Sequence, residues 1–182
     1  MSNIERTFRR LATETRGAEI AEAAAVLPLM FMILLGIFWF GQAFRIYGTI
    51  TRAAEDGARA GAAPYCTTCS QVNTPAINAA NAVQATMTAA HLDPTQIIPL
   101  TSWTTPSLLG CTTGAPVACV NPGSPQSNIC VQQRVQLSPG GKPVCGISVS
   151  FEYPYKFWLP FSSLNQQGIQ LQAVARVRGE TP

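Results

Sequence analysis

Charge is scarce in this sequence, and histidine is nearly missing. Charged residues make up 12% of 182 positions, twelve basic against nine acidic, for a net charge of +3, and His91 is the one histidine. The basic residues form no run, which excludes the phosphate-backbone grip of a nucleic-acid binder. No Gly-x-Ser-x-Gly turn and no phosphate-cradling glycine loop is present. Beyond the apolar N-terminal stretch the acids are Glu55, Asp56, Asp93, Glu152 and Glu180. One histidine and so few carboxylates leave little for general acid–base chemistry. Neither an enzyme nor a cofactor nor a small-molecule substrate is therefore expected.

Between Ala23 and Phe44 there are 22 residues with no charge at all. As a helix they extend about 33 Å, against a hydrocarbon core of about 30 Å. Trp39 and Tyr47 stand at the outer end, where an interfacial aromatic belt would fall. Pro28 lies in the first turns of the span, where it removes few helical hydrogen bonds. Gly41-Gln42-Ala43 has the small-x-small form of a signal cleavage site, but the apolar run is too long for a signal core and favours an anchor.

Cysteine is confined to one side of that span. Cys66, Cys69, Cys111, Cys119, Cys130 and Cys145 all follow it. An even number in a small domain predicts disulfides and an oxidising compartment. Zinc ligation is disfavoured, because only one pair has ligand spacing and the single histidine adds little. Cys66-x-x-Cys69 has dithiol-exchange spacing but no βαβ surroundings, so a local structural disulfide is the expectation. Fifteen pairings of six cysteines are possible. The spacing favours Cys130–Cys145, flanking a hairpin, and Cys111–Cys119, closing a loop. The head carries Arg6, Arg9, Arg10 and Arg16, and the far flank Arg45, Arg52 and Arg59. That bias is slight, and the cysteines decide the orientation: N-terminus cytoplasmic, residues from about 45 outward extracytoplasmic.

The organisation follows: a basic head over 1–22, a transmembrane helix over 23–44, a helical extension over 45–63, and an α+β domain over 64–182. The extension lacks proline, is rich in alanine, and offers the i,i+4 pairs Arg52–Asp56 and Glu55–Arg59. Gly57 and Gly61 lie four apart on a small-residue face, suited either to a neighbouring helix in an assembly or to the chain's own domain. Pro64 ends the helix. Thr74-Pro75 then marks the start of a second helix running to about His91, with Ile77, Ala80, Val83, Met87 and Ala90 as its apolar stripe. Expected strands cover 96–104, 129–137, 144–155 and 169–178. The third alternates through Val144, Ile147, Val149, Phe151 and Tyr153, and the fourth through Ile169, Leu171, Ala173, Ala175 and Val177. Residues 105–128 are a loop rich in Pro, Gly, Ser, Thr and Asn, stapled by disulfides. The expected fold class is α+β: a long N-terminal helix, a second helix and a small antiparallel sheet.

At the head–span junction stands Gly17-Ala18-Glu19-Ile20-Ala21-Glu22, a glycine followed five residues later by an acid that borders the apolar run. This resembles the processing site of type IV pilins and pseudopilins. Further matches are Glu22-Ala23, Leu27-Pro28-Leu29, Phe40-Gly41 and Ala53-Ala54-Glu55-Asp56-Gly57-Ala58-Arg59. Together they make residues 17–61 similar to the N-terminal region of TadE-like proteins of the tight-adherence (Tad) pilus system. Val149-Ser150-Phe151-Glu152-Tyr153-Pro154, Leu159-Pro160-Phe161 and the end Ala175-Arg176-Val177-Arg178-Gly179-Glu180 resemble that family more loosely. The second acid Glu19, and Ala23-Ala24 in place of an aromatic-Ala pair, depart from its pattern.

The resemblance implies a pilin-like fold and a minor pilin or pseudopilin of a pilus or secretion apparatus in the bacterial inner membrane. It implies cleavage by a prepilin peptidase between Gly17 and Ala18, with Glu22 as fifth residue of the mature chain. It also implies partnership with other pilin subunits and the assembly platform, and with no nucleic acid. The rival expectation is an anchored periplasmic domain that binds envelope partners and never enters a fibre.

Overall fold

The structure is a computed structural model that describes residues 15–63, 74–100, 106–112, 114–120, 128–138, 144–156 and 168–179. Residues 1–14 of the basic head, Cys66, Cys69, Pro64 and the 159–161 motif lie outside the described residues. Among the described residues, two helices, a short 3-10 turn and three strands follow in the order α1 (Thr15–Ala62), α2 (Pro75–Ala89), the turn Pro94–Gln96, β1 (Cys130–Gln136), β2 (Cys145–Lys156) and β3 (Gly168–Arg178). The fold is α+β, as expected from the patterning. It divides into two compact units, 1–43 and 44–182.

In the first unit α1 runs unbroken through Pro28. Apart from the half-buried Trp39, its large apolar side chains between Val26 and Phe40 are exposed, from 40% at Leu35 to 78% at Met32. This is one helix long and apolar enough to cross a membrane.

The second unit begins within the same helix. From Ile50 onward α1 buries a stripe of Ile50, Ala53, Ala54 and Ala58. α2 starts as its sequence dictates: the Thr74 hydroxyl accepts from the Ile77 N–H at 3.4 Å, and Pro75 fills a first-turn position that needs no donor. It ends with Leu92 N–H donating to Met87 C=O at 2.9 Å, while His91 takes a left-handed φ of 59°. The lone histidine thus occupies the position where helices usually place glycine. The buried face of α2 is Ala76, Ala79, Ala80, Val83 and Met87. Ala80, Val83 and Met87 of the expected stripe are buried, while Ile77 and Ala90 are only half-buried and Ala76 and Ala79 complete the contact.

The sheet is antiparallel in the order β1-β2-β3. Its first face, with Val131, Ile147, Val149, Phe151, Tyr153, Ala173 and Ala175, joins the buried stripes of both helices in one core. Directly opposed residues of an antiparallel pair share a face, so the register assigns the second face as well. That face carries Cys130, Gln132, Ser148, Ser150 and Glu152, all buried. Clean alternation on β2 predicts a solvated second face, and here the structure differs: β2 is buried on both sides. The cover comes from residues 106–112 and 114–120, which the Gln132 amide holds by donating to the Pro106 and Val117 carbonyls at 2.9 and 2.7 Å.

A bulge at Arg134, whose φ is 55°, shifts the β1–β2 register so that Val135 opposes Gly146. The strand expected over 96–104 is not formed among the described residues. Ile98 makes a single antiparallel bridge to Glu152, and Pro99, lacking an N–H, cannot extend a ladder there.

Candidate functional site

The site expected from the sequence is α1 with its two junctions. Gly17 and Ala18 fall in the first turn of that helix, and Glu22 is exposed just before the apolar stretch. Gly36, Gly41 and Gly48 also have open space, since a Cβ at any of them would meet nothing within 4 Å.

Gly57 and Gly61 are different. A Cβ on Gly57 would lie 2.6 Å from Val83 Cγ2 and 3.0 Å from the Ala79 carbonyl oxygen. A Cβ on Gly61 would lie 3.1 Å from both Ala79 Cβ and the Pro75 carbonyl oxygen. The small-residue face thus admits α2 of the same domain. Of the two partners it suits, the helix of its own domain is the one it meets at Gly57 and Gly61.

Polar contacts follow from that docking. Glu55 and Arg59 pair at 3.9 Å across one turn, both well exposed. The companion pair Arg52–Asp56 does not form: Asp56 instead accepts a hydrogen bond from the Thr86 hydroxyl of α2 at 3.1 Å. A half-buried carboxylate facing a neighbouring helix is better served by a local hydroxyl than by a flexible arginine at the surface. No sequence signal pointed to Thr86. Arg45, Arg52, Glu55 and Arg59 are left as an exposed charged face of α1.

The disulfides correct the expected pairing. Cys111 joins Cys145 and Cys119 joins Cys130, with Cα separations of 5.6 and 4.9 Å. Cys130–Cys145 is excluded by register. Cys130 opposes Ser150 while Cys145 opposes Gln136, so the two lie at opposite ends of the ladder. Five residues along a strand is about 16 Å, far beyond the ~7 Å that a disulfide spans. Cys111–Cys119 fails because both ends of the segment run onto β1. The Cys111 N–H donates to Arg134 C=O at 2.8 Å, and Val120 bridges Val131. Both disulfides staple the loop to the sheet.

Asp93 is held below the ordinary carboxylate range by hydrogen bonds from the Thr95 hydroxyl and backbone N–H. Tyr153 and Tyr155 are both raised, chiefly by burial. Among the described residues, no three His, Cys, Asp or Glu side chains come together as a metal cluster would need.

These features define a class: a disulfide-stapled α+β domain whose first helix continues into a stretch able to span a membrane. Residues 17–59 match the family model described as TadE-like protein, so this stretch is similar to that family. The match runs from the Gly17 junction through the apolar stretch to the docked face of α1. Comparison with curated proteins and with solved structures returns no match.

Proposed function

We propose that this chain is a minor pilin or pseudopilin-like component of a Tad pilus assembly or secretion apparatus. In this reading it crosses the bacterial inner membrane once, with the N-terminus cytoplasmic and the domain periplasmic. Its role is structural, without catalysis or a cofactor. The observation that carries the reading is the TadE-like match over 17–59, which includes both the Gly17–Glu22 junction and the exposed apolar helix.

The physics of the junction supports a processed subunit. A cut after Gly17 removes all four head arginines and makes Ala18 the new N-terminus. The first turn of α1 must open to reach a peptidase, and glycine there lowers the cost of opening by roughly 1 kcal/mol relative to alanine. Glu22 at the hydrocarbon edge is costly alone. The new ammonium of one subunit beside the Glu22 carboxylate of its neighbour relieves the desolvation of both. Partners on this reading are the peptidase, other pilin subunits and the assembly platform.

One observation favours the rival anchored-domain reading. Gly57 and Gly61 are occupied by α2, which removes one of the two features that spoke for packing against other subunits. Processing separates the readings. The intact mass of the protein from membranes should correspond to loss of residues 1–17 when the peptidase is present and to the full chain when it is not. Gly17→Trp should remain uncut. Glu22→Ala should be cut and should assemble poorly, and Glu19→Ala/Glu22→Ala should be worse than either alone. A wild-type protein that keeps its full N-terminus while pili form normally would defeat the proposal in favour of the anchored domain.

A further inference from the structure

Just past the apolar stretch, α1 carries a groove of about 470 Å3, lined by Tyr47, Gly48, Thr51 and Arg52 and, farther along, by Glu55. Gly48 has no packing reason within the chain, because a Cβ there would meet nothing within 4 Å. A glycine in a helix interior costs about 1 kcal/mol relative to alanine. Arg45 precedes Gly48 by three residues and Arg52 follows it by four, so both share its face of the helix, one turn to either side. Both arginines are exposed, and neither has an acidic partner among the described residues. Asp56, the acid Arg52 would reach, is turned to α2 by Thr86. Glu55 continues the same face beyond Arg52, and its exposed bridge to Arg59, at 3.9 Å, is a weak one.

We infer that this groove holds the headgroup of a phospholipid bearing a primary amine, with the phosphodiester over Gly48 between Arg45 and Arg52 and the ammonium at Glu55. The inference rests on reading the apolar stretch as a membrane span. Phe44, the last residue of that stretch, is 71% exposed. Counted from it along the helix, Gly48 stands about 6 Å outward. The headgroup layer on each side of the hydrocarbon is about 5–7 Å deep. Charge is ordered in the same sense as in such a headgroup: cations nearer the hydrocarbon, where the phosphate lies, and a carboxylate beyond, where the amine lies. Guanidinium groups match a phosphate with paired N–H donors. The Thr51 hydroxyl already donates to the Tyr47 carbonyl at 2.8 Å, so the arginines are the donors left for the phosphate oxygens. The Glu55 carboxylate accepts from a primary ammonium. A glycerol headgroup offers it no cation, and a trimethylated amine offers it no N–H.

The test titrates the full chain in detergent micelles with phosphatidylethanolamine, phosphatidylglycerol and phosphatidylcholine, and counts bound lipid by native mass spectrometry. Phosphatidylethanolamine should bind best. Gly48→Leu fills the groove where the fold has room, so it should abolish the bound lipid without lowering the unfolding temperature. Arg45→Gln and Arg52→Gln should each weaken binding by roughly two- to fivefold. Glu55→Gln should erase the preference for phosphatidylethanolamine over the other two lipids. Phosphatidylglycerol binding as well as phosphatidylethanolamine to the wild type, or lipid binding indifferent to Gly48→Leu, is general charge attraction and overturns the inference. Displacement of the lipid by an equal concentration of free phosphoethanolamine overturns it too, in favour of a soluble phosphate ester. Alkaline carbonate extraction separates the two readings. A protein that resists extraction but shows no lipid preference overturns this site alone, and one that is extracted overturns the membrane span with it.

Discussion

Replacing Gly57 with alanine should destabilise the domain, and the same change at Gly61 should not. At Gly57 the new methyl falls 2.6 Å from Val83 Cγ2. Carbon atoms rest at about 3.5–4.0 Å, so roughly 1 Å must come from a shift of α2 or a new Val83 rotamer. Val83 is fully buried and β-branched, which leaves it few rotamers to change into. Overpacking of this kind costs about 1–3 kcal/mol, and the higher helix propensity of alanine returns about 1 kcal/mol. A net loss of about 1 kcal/mol is expected, or a fall in Tm of about 3–4 °C for a domain of this size. At Gly61 both contacts are 3.1 Å, so displacements of a few tenths of an ångström suffice and the propensity gain offsets them. Gly57→Leu cannot be accommodated and should undock α2. Thermal unfolding of the full chain in detergent, followed by circular dichroism, reads all three. Should Gly57→Leu unfold like wild type but lose association with other helices in the membrane, the face meets a partner subunit and the packing described above is wrong.

Two further outcomes are expected. Removing Cys111–Cys145 by paired serine substitution should cost up to about 4 kcal/mol, and removing Cys119–Cys130 up to about 3 kcal/mol, from the loop-closure entropy of their different spans. Those spans are 34 and 11 residues. Non-reducing peptide mapping checks the pairs themselves, and recovery of Cys130–Cys145 would refute the register. Stability should be flat across neutral pH and fall at both ends. Burial raises Tyr153 and Tyr155 in the folded state, so their contribution is complete below the unfolded tyrosine value of about 10 and is lost as pH rises past it. Asp93 is lowered, so its contribution is present above the ordinary carboxylate value near 4 and is lost as pH falls through the folded value. Denaturant midpoints between pH 3 and 11 test both limbs, and Tyr153→Phe should blunt the alkaline one.

The elements legible in the sequence are those set by local periodicity and punctuation. β1, β2 and β3 lie within a residue of their expected bounds, and Thr74-Pro75 marked the start of α2 because capping is a local hydrogen-bond problem. What eluded the sequence depends on register. The cysteine pairs follow from which residue opposes which, and the Arg134 bulge that sets this carries no local signature: arginine is an unusual residue for a positive φ. The buried second face eluded it for a related reason. Ser148, Ser150 and Glu152 look like a solvated row in a period-two pattern, and only the cover held by Gln132 makes them interior. The junction at Gly17 and Glu22 was legible as a motif, because its spacing against the apolar run is a linear property.

α1 therefore answers to two separate physical demands along one continuous helix. Up to the end of the apolar stretch, its composition is that of a segment whose side chains meet hydrocarbon: uncharged, and with its large apolar side chains exposed save Trp39. From Ile50 the demand is close approach, and the residues become small on one face: Ala53, Ala54, Gly57, Ala58 and Gly61. The charges retreat to the other face, as Arg45, Arg52, Glu55 and Arg59. The TadE-like match spans this change and stops at 59, within the second regime. The Ala-rich Glu-Gly-Ala-Arg run inside the match thus has a reason within one chain, the seating of α2. At the other end of the match Glu22 is exposed, and the buried residues that α1 gives to the core begin only at Ile50. A feature that folding leaves unexplained is where a function should be sought, and processing at Gly17 is accordingly the first experiment to do.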